Sequence, residues 1–421
     1  RGRKLTSIEV HDITCMIGEI VVVGGVRRSA LISLSNLTDK RMREAKIGAW
    51  YNEFPHRGLA NNSVAYTEKP DMEVFMEEWL SLVKSKSGER GIFNRVASQK
   101  QASKWGRRDD SLNYGTNPCS EIILRDKQFC NLTEVVIRAE DTKETLLDKV
   151  RLATILGTFQ STLDKFQFLS AEWHKNTTEE RLLGVSLTGI MDSKMMSNPD
   201  PKFLEEMRDE ARKTNKKYAK LLDVEDSASI TCVKPSGTVS QLVDSSSGIH
   251  SRHSNYYIRT VRLDKKDSIY GFLKDKGVTV EDEAYRPDST AVFSFPIKSP
   301  RGSVTRDDRT AIEELKTWLI YQRHWCEHKP SVTINVREHE WLEVGAWVYK
   351  HFDEISGISF LPHSDHTYQQ APYQECSKEE YMAFMRDHPT EVIEFSELIE
   401  DDDNTEASQT LACTGNSCEV V

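Results

Sequence analysis

The most informative stretch of the chain is Asn117-Pro118-Cys119-Ser120-Glu121, followed eleven residues after Cys119 by a second thiol, Cys130. It places an amide, a thiol and a carboxylate on alternate positions. In an extended loop, alternate side chains point the same way. We therefore expect Asn117, Cys119 and Glu121 to converge on one small target.

These three groups suit chemistry at a vicinal diol. A sulfur radical on Cys119 can take a hydrogen atom from a sugar carbon, Glu121 can act as general base on one hydroxyl, and Asn117 can hold another. The alternative is a buried structural cysteine in a turn that Pro118 fixes, with solvated polar neighbours. These five residues alone leave both interpretations open.

A second motif reads Lys234-Pro235-Ser236-Gly237-Thr238-Val239-Ser240 and is followed by Gly248-Ile249-His250. It comes directly after a predicted strand. Backbone N–H groups and three hydroxyls at such a point are suited to binding an anion. A solvent-exposed turn is the alternative, and the motif alone does not separate the two.

A third motif is Gly24-Gly25-Val26-Arg27-Arg28-Ser29-Ala30, between a helical pattern and a strand pattern. The two glycines allow positive φ angles at a mobile junction. Arg27 could then reach the base or the phosphates of a substrate. The alternative is a plain helix-to-strand turn.

The C-terminal segment carries two thiols, Cys413 and Cys418, with Gly415 between them. Thiol–disulfide exchange requires access and reach, which a flexible acidic tether provides. The alternative is half a metal site, but no second Cys/His pair with zinc-like spacing accompanies these thiols.

Taken together, the motifs resemble those of ribonucleotide reductases. Gly115–Ile122 is similar to the radical-cysteine loop of that family, most closely of its adenosylcobalamin-dependent class II members. The Gly24-Gly25 motif resembles the effector loop, the motif that starts at Lys234 resembles the substrate phosphate loop, and the pair Cys413 and Cys418 resembles the tail dithiol. The motifs follow one another along the chain in the family's order. The resemblance runs from about Lys4 to the C-terminus. It implies an α/β fold, a ten-stranded α/β barrel with the radical cysteine on a finger loop at its centre. The N-terminal part is expected to be missing, because the chain starts after the family's first strand.

The resemblance also implies roles for individual residues. Cys119 would be the thiyl radical that abstracts the 3′ hydrogen, Glu121 would deprotonate the 3′ hydroxyl, and Asn117 would orient it. Cys130 would be one of the two reducing thiols. The family's partner for it is not found, since Cys15 is not in the equivalent place. The remaining implied residues are Ser236, Gly237, Thr238, Val239 and Ser240 for substrate phosphate, Gly24, Gly25, Val26, Arg27 and Arg28 for the effector/substrate loop, and Cys413 and Cys418 for the redox tail.

Among the family's radical sources, the resemblance favours adenosylcobalamin. A glycyl-radical segment is absent, and the adjacent tyrosines Tyr256-Tyr257 are not near the C-terminus, where class I enzymes carry their relay pair. The resemblance further implies a ribonucleotide substrate, expected to be a triphosphate, a deoxynucleotide effector and a thioredoxin-like reductant. A separate N-terminal half is a further expected partner. The alternatives are a class I large-subunit fragment, or a split half-enzyme that only binds its missing half and is inactive alone.

Composition narrows the class of protein. The 421 residues are 38% hydrophobic and 29% charged, as in a globular domain, and the formal net charge of −10 argues against a nucleic-acid-binding surface. No apolar stretch approaches the roughly eighteen residues of a membrane helix. Eight cysteines without framework spacing suit a reducing compartment, so we expect a cytoplasmic protein. The first residue is Arg1, so we expect a fragment or a processed half.

Hydrophobic periodicity predicts strands alternating with helices, hence a parallel α/β arrangement. We expect a catalytic barrel portion over residues 1–395 and a flexible acidic redox tail over 396–421. A helical apolar pattern of Leu5, Ile8, Ile13, Met16, Ile17 and Ile20 is expected to pack in the core. The other predicted helices are 71–84, 143–166, 201–222, 309–325 and 339–350, and the predicted strands are Ala30–Leu34, Asn131–Arg138, Ser229–Val233 and Ser331–Val336.

Overall fold

The structure is a computed structural model that describes residues 2–19, 22–23, 27–284, 287–363, 370–388, 393–398, 413–414 and 417–418. At residues 22, 23, 27, 28, 238, 387, 413, 414, 417 and 418 it describes the backbone only. Gly24, Gly25 and Val26 of the predicted effector loop, and most of the tail, lie outside these residues. The tail and domain boundaries stay predictions.

Seven strands build the frame of the molecule. They are β1 (Leu31–Ser35), β2 (Ala60–Tyr66), β3 (Gly91–Asn94), β4 (Asn131–Val136), β5 (Leu183–Thr188), β6 (Thr333–Val336) and β7 (Gly357–Pro362). Strands β1, β2 and β3 pair in parallel, as do β4 with β5 and β6 with β7. Strand β7 meets β3 in antiparallel fashion, with Ile358 opposite Ile92.

The segment 231–233 joins these pairs into one array. Thr231 bridges Val185 on β5, and Val233 bridges Pro330 just before β6, both in parallel. The order is therefore β4, β5, 231–233, β6, β7, β3, β2, β1. It contains two parallel groups that meet antiparallel at β7 and β3. The predicted parallel arrangement holds within each group, and the predicted strand Ser229–Val233 is reduced to this bridging segment.

A separate four-stranded antiparallel sheet was not predicted. Its strands lie in the order Val280–Asp282, Thr290–Lys298, Tyr256–Asp264 and Tyr373–Glu375. It packs over a small apolar cluster of its own, with Leu273, Val278, Ala291 and Phe293 at its centre. The strand Tyr256–Asp264 buries only Tyr257, Thr260 and Asp264, so burial does not alternate residue by residue along it.

Helices cover the array and close the main core, which includes Phe75, Trp318, Tyr321, Trp325 and Phe352. Helix 143–166 was predicted too long, because it ends at Gln160. A different helix begins at Ala311, because Thr310 and Glu313 each accept a hydrogen bond from the other's backbone N–H. The helices of eight or more residues are Ser7–Glu19, Met72–Ser85, Arg95–Ser103, Lys143–Gln160, Ala171–Glu180, Pro201–Leu221, Ser268–Asp275, Ala311–His324, Trp341–Lys350 and Lys378–Asp387.

The first helix corrects one prediction. Its apolar residues Ile13, Met16 and Ile17 are exposed, and the helix instead buries Cys15 and Gly18. A Cβ on Gly18 would lie 2.4 Å from Leu59 Cδ2, so the helix packs closely through its small residues. The expected core packing of its apolar stripe is therefore wrong. No helix within the described ranges is long and apolar enough to cross a membrane.

Candidate active site

Cys119 lies at the tip of a short hairpin. Gly115–Thr116 pairs antiparallel with Ile123–Leu124, and between them Ser120 N donates to Asn117 O at 2.9 Å. Ser120 adopts a φ of 66°, in the left-handed region. The predicted extended conformation is therefore wrong, because the chain turns sharply between Asn117 and Ser120.

Asn117 holds this turn together. Its Oδ1 accepts from Ile122 N at 2.9 Å, while the hydroxyl of Thr116 donates to Ile122 O at 2.8 Å. The amide oxygen is thus engaged within the loop. The expected role of Asn117 toward a substrate hydroxyl stays a prediction.

The hairpin tip lies between the two parallel groups of strands. Asn61 on β2 donates from Nδ2 to Pro118 O at 2.9 Å. From the other group, Ser331 donates to Cys119 O, and Lys329 Nζ donates to Ser120 Oγ at 2.7 Å. Both groups therefore fix the position of Cys119.

Cys119 and Glu121 share one ammonium group. Lys234 Nζ lies 3.5 Å from Cys119 Sγ and 3.4 Å from Glu121 Oε1. Glu121 is fully buried, and its Oε2 has no hydrogen-bond partner among the described residues. The structure thus brings two predicted site residues together through Lys234, and it leaves one buried carboxylate oxygen free to accept a hydrogen bond.

Both loop thiols are held in their protonated form. Burial raises the pKa of Cys119, Glu121 raises it further, and Lys234 opposes them. Burial raises the pKa of Cys130 well above its usual value, again with help from Glu121. Burial lowers the pKa of Lys234, but Glu121 and Cys119 outweigh it and the net shift is upward. At neutral pH the site therefore combines S–H groups with an ammonium ion.

The predicted phosphate loop is largely a short helix, Gly237–Leu242, preceded by Ser236. Ser236 is buried and donates to Glu134 Oε2 at 2.6 Å, while Ser240 donates to Gly237 O at 3.3 Å. Val239 is partly exposed, and the side chain of Thr238 is outside the described atoms. The segment is therefore a short helix with Ser236 and Ser240 buried and Val239 exposed, and its expected contact with phosphate stays a prediction.

Sequence reasoning missed Glu134 and the serines that follow the helix. Ser245, Ser246 and Ser247 each have a buried hydroxyl oxygen without a partner in the described part of the chain. Ser245 N donates to Ser240 O at 2.8 Å, which holds this run against the helix. The sequence signal that could have revealed these serines is the run Asp-Ser-Ser-Ser-Gly at 244–248, which lies between Ser240 and His250 of the quoted motif.

Gly248 packs this run onto Lys234. It has a φ of +56°, and a Cβ there would lie 2.3 Å from Lys234 O. His250, two residues on, accepts from Thr333 N at Nε2 across 3.0 Å, so its Nδ1–H donates to Ser247 O. His250 therefore ties the phosphate-loop region to β6.

The remaining predicted residues are only partly described. Arg27 and Arg28 form a two-residue strand opposite Val22–Val23, and Cys413 lies opposite Cys418 in the tail. The structure describes only the backbone of these residues. Cys15 is buried beside His11 in the first helix, remote in sequence from the loop. Within the described residues, no group of three or more His, Cys, Asp or Glu is arranged to hold a metal ion.

Comparison with solved structures identifies the fold. A crystal structure of a B12-dependent, class II ribonucleotide reductase superposes with a TM-score of 0.72, at 24% identity, over 93% of this chain and 57% of that one. The chain has the ribonucleotide reductase fold. The alpha subunit of an Actinobacillus ureae class Id ribonucleotide reductase matches less closely, with a TM-score of 0.56 and 12% identity over 85% of this chain and 76% of that one. The α/β class is thereby confirmed.

Sequence relatives agree with this fold. Over its whole length the chain is 28% identical to the adenosylcobalamin-dependent ribonucleoside-triphosphate reductase of Lactobacillus gasseri, of which it covers 60%. The reductase of the same name from Euglena gracilis is 28% identical over 99% of this chain and 57% of its own length. The chain thus spans about three fifths of these relatives. No protein-family model matches it.

Proposed function

We propose that this chain carries the catalytic centre of an adenosylcobalamin-dependent ribonucleoside-triphosphate reductase. The observation that carries the proposal is the shared ammonium at the hairpin tip, where Lys234 contacts both Cys119 and Glu121 and leaves Glu121 Oε2 unpartnered among the described residues. A thiol beside a carboxylate that has one oxygen free to accept a proton suits the proposed radical chemistry at a ribose.

In this proposal, Cys119 as a thiyl radical takes the hydrogen atom from C3′ and becomes a thiol. Glu121 takes the proton of the 3′ hydroxyl. The 2′ hydroxyl then leaves as water, which consumes two electrons and two protons from a pair of thiols. Cys130 is one member of the pair, and the pair becomes a disulfide. The hydrogen atom finally returns from Cys119 to C3′ and the proton returns from Glu121 to the 3′ oxygen, so the deoxyribonucleotide and one water are the products.

The cofactor would act on the thiol of Cys119, and this thiol is both accessible and protonated, as the loss of a hydrogen atom requires. The thiol is partly exposed at the hairpin tip, and its raised pKa keeps the S–H bond present at neutral pH. Adenosylcobalamin, when bound, supplies the radical that removes this hydrogen atom. The protein contributes the position of the thiol and a largely dry surrounding, because Glu121 and the strands behind it are buried.

Substrate phosphate is assigned to the start of the helix Gly237–Leu242. Support comes from the buried hydroxyls of Ser245, Ser246 and Ser247, which have no hydrogen-bond partner among the described residues, and from the backbone bond of Ser245 to Ser240, which ties their run to this helix. A triphosphate substrate follows the names of the relatives.

The remaining assignments extend this proposal. Gly24–Arg28 would carry the identity of a deoxynucleotide effector, and Cys413 and Cys418 would pass electrons from a thioredoxin-like reductant. A ten-stranded barrel would form when two further strands, supplied by the rest of the protein or by a separate half, join the eight-membered array. A cytoplasmic location follows the cysteine usage.

The test is anaerobic reduction of a radiolabelled ribonucleoside triphosphate with adenosylcobalamin and a dithiol. Wild type is compared with Cys119→Ser and with Cys376→Ser, which alters another partly exposed thiol outside the hairpin. We expect cofactor-dependent product that is lost only in Cys119→Ser. Product without cofactor, product from Cys119→Ser, or none from the wild type even with the rest of the protein supplied would refute the proposal.

A further inference from the structure

Glu121 is an unusual carboxylate because it is fully buried. A buried carboxylate is stable in its ionised form only when a cation or several hydrogen bonds compensate the loss of water. The charged and titratable groups that act on it are the two lysines Lys234 and Lys329, the thiols Cys119, Cys130 and Cys232, and the carboxylate Glu134.

Of the two cations near Glu121, Lys329 is the less able to stabilise its ionised form. Its Nζ donates to Ser120 Oγ at 2.7 Å and lies 4.7 Å from the centre of the Phe93 ring. Burial lowers the pKa of Lys329 to about 7, although Glu121 opposes the shift. Near neutral pH a good part of its charge is therefore lost.

Lys234 is the stronger cation. Its ammonium is 3.4 Å from Glu121 Oε1, and its net pKa shift is upward, so it stays charged throughout the neutral range. Its backbone is fixed on both sides, since Lys234 N donates to Ser186 Oγ at 2.8 Å and Gly248 packs against Lys234 O. The backbone that carries the ammonium group is thus held in place from both sides.

We propose that Lys234 is a positioning residue of this site, the counter-ion that holds buried Glu121 as a carboxylate and leaves Oε2 for a substrate hydroxyl. This assignment differs from the phosphate contact that the motif predicted for its region. It rests on the proposed function, because it treats Glu121 as the base. Its physical content, the dependence of Glu121 on Lys234, is measurable without turnover.

The experiment is a double-mutant cycle on thermal unfolding with Lys234→Met, Glu121→Gln and the double variant. We expect Lys234→Met to lower the melting temperature by about 3–6 °C in wild type, because it leaves a buried charge unpaired. In the Glu121→Gln background, where residue 121 carries no charge to be left unpaired, the same substitution should lower it by less than half as much. Equal effects in both backgrounds would overturn the proposal.

If Lys234→Met does not fold, the double variant decides the matter. Restored folding in Glu121→Gln/Lys234→Met supports the counter-ion role, whereas failure of both indicates a packing role and refutes it. Lys234→Arg keeps the charge and should retain most of the stability. Lys213→Met, at an exposed lysine, is the matched control.

A second readout is the rate of Cys119 alkylation by iodoacetamide at pH 8, followed by mass spectrometry. Lys234 opposes the upward shift of the Cys119 pKa, so Lys234→Met should slow alkylation about threefold to tenfold, and Lys234→Arg should stay within about twofold of wild type. Because Lys234→Met also removes the charge that keeps Glu121 ionised, this comparison is made in the Glu121→Gln background, and unchanged alkylation there would show that Lys234 is not a charged group at this site, which refutes the proposal. Neither readout involves nucleotide reduction, so a failed reductase assay and a failed counter-ion test are separate results.

Discussion

The hydroxyl of Ser236 donates to Oε2 of Glu134 across 2.6 Å, and Ser186 on the neighbouring strand approaches Oε1 at 3.5 Å. A carboxylate therefore lies against the segment to which substrate phosphate is assigned. Burial raises the pKa of Glu134, and its hydrogen bond with Ser236 and the charge of Lys234 oppose the shift. An anion that binds here must either displace this hydrogen bond or tolerate the carboxylate.

Glu134→Gln should therefore strengthen phosphate binding. The amide keeps an acceptor for Ser236 but removes the charge, so we expect inorganic tripolyphosphate to bind about threefold to tenfold more tightly at pH 7.5. Isothermal titration calorimetry measures this, with Glu140→Gln as the control, since Glu140 is exposed. Equal affinities for the three proteins would mean that the anion binds elsewhere.

Gly248→Ala should destabilise the fold. The new methyl group would meet Lys234 O at 2.3 Å in a backbone conformation that side chains rarely adopt, so we expect a loss of roughly 2 kcal/mol or more. Gly271→Ala is the matched control, because Gly271 is helical and has nothing within 4 Å of the added carbon. We expect it to be neutral or stabilising by about 0.5–1 kcal/mol. Urea unfolding compares the two, and similar losses would contradict the expectation.

Lys329 should make stability depend on pH. Its folded pKa of about 7 lies below the unfolded value of 10.5, so the unfolded chain binds more protons between these values and stability rises with pH across that window. From pH 7 to 9 this contributes about 2 kcal/mol. Lys329→Met should remove that part of the slope, and Lys213→Met should not. Parallel stability curves for wild type and Lys329→Met would refute the expectation.

Glu121→Gln should make Cys119 more reactive. The carboxylate adds to burial in raising the pKa of the Cys119 thiol, so its removal should increase the thiolate fraction and speed alkylation at pH 8 about threefold. The same substitution removes the proposed base and should abolish nucleotide reduction. Glu179→Gln, at an exposed glutamate, is the control for alkylation. Unchanged or slower alkylation in Glu121→Gln would show that the carboxylate does not raise the pKa of this thiol.

The sequence was sufficient to bring Cys119 and Glu121 together, but for the wrong geometric reason. Alternation along an extended loop predicted it, whereas the chain turns at Ser120 and the two groups meet at Lys234. The turn depends on Lys329 and Ser331, which lie more than two hundred residues away. Local patterns carry no information about such partners.

Glu134 shows the same limit. Its strand was predicted, although two residues too long, but nothing in Asn131–Val136 marks this carboxylate as facing Ser236, more than one hundred residues later. The exposed face of the first helix failed for a different reason. Periodicity identifies an apolar stripe, but Gly18 and Cys15 allow a closer approach on the other side, and that side became buried.

The hairpin tip takes its contacts from residues 57, 115 and 212 positions away in the chain. Bringing such distant segments together requires long loops to close, and this slows folding. The fully held hairpin tip, with contacts to Asn61, Lys234 and Ser331, therefore exists only after both groups of strands have docked. In the proposed reductase, the radical thiol acquires its full set of contacts only at that stage, so the reactive centre is a product of the completed fold.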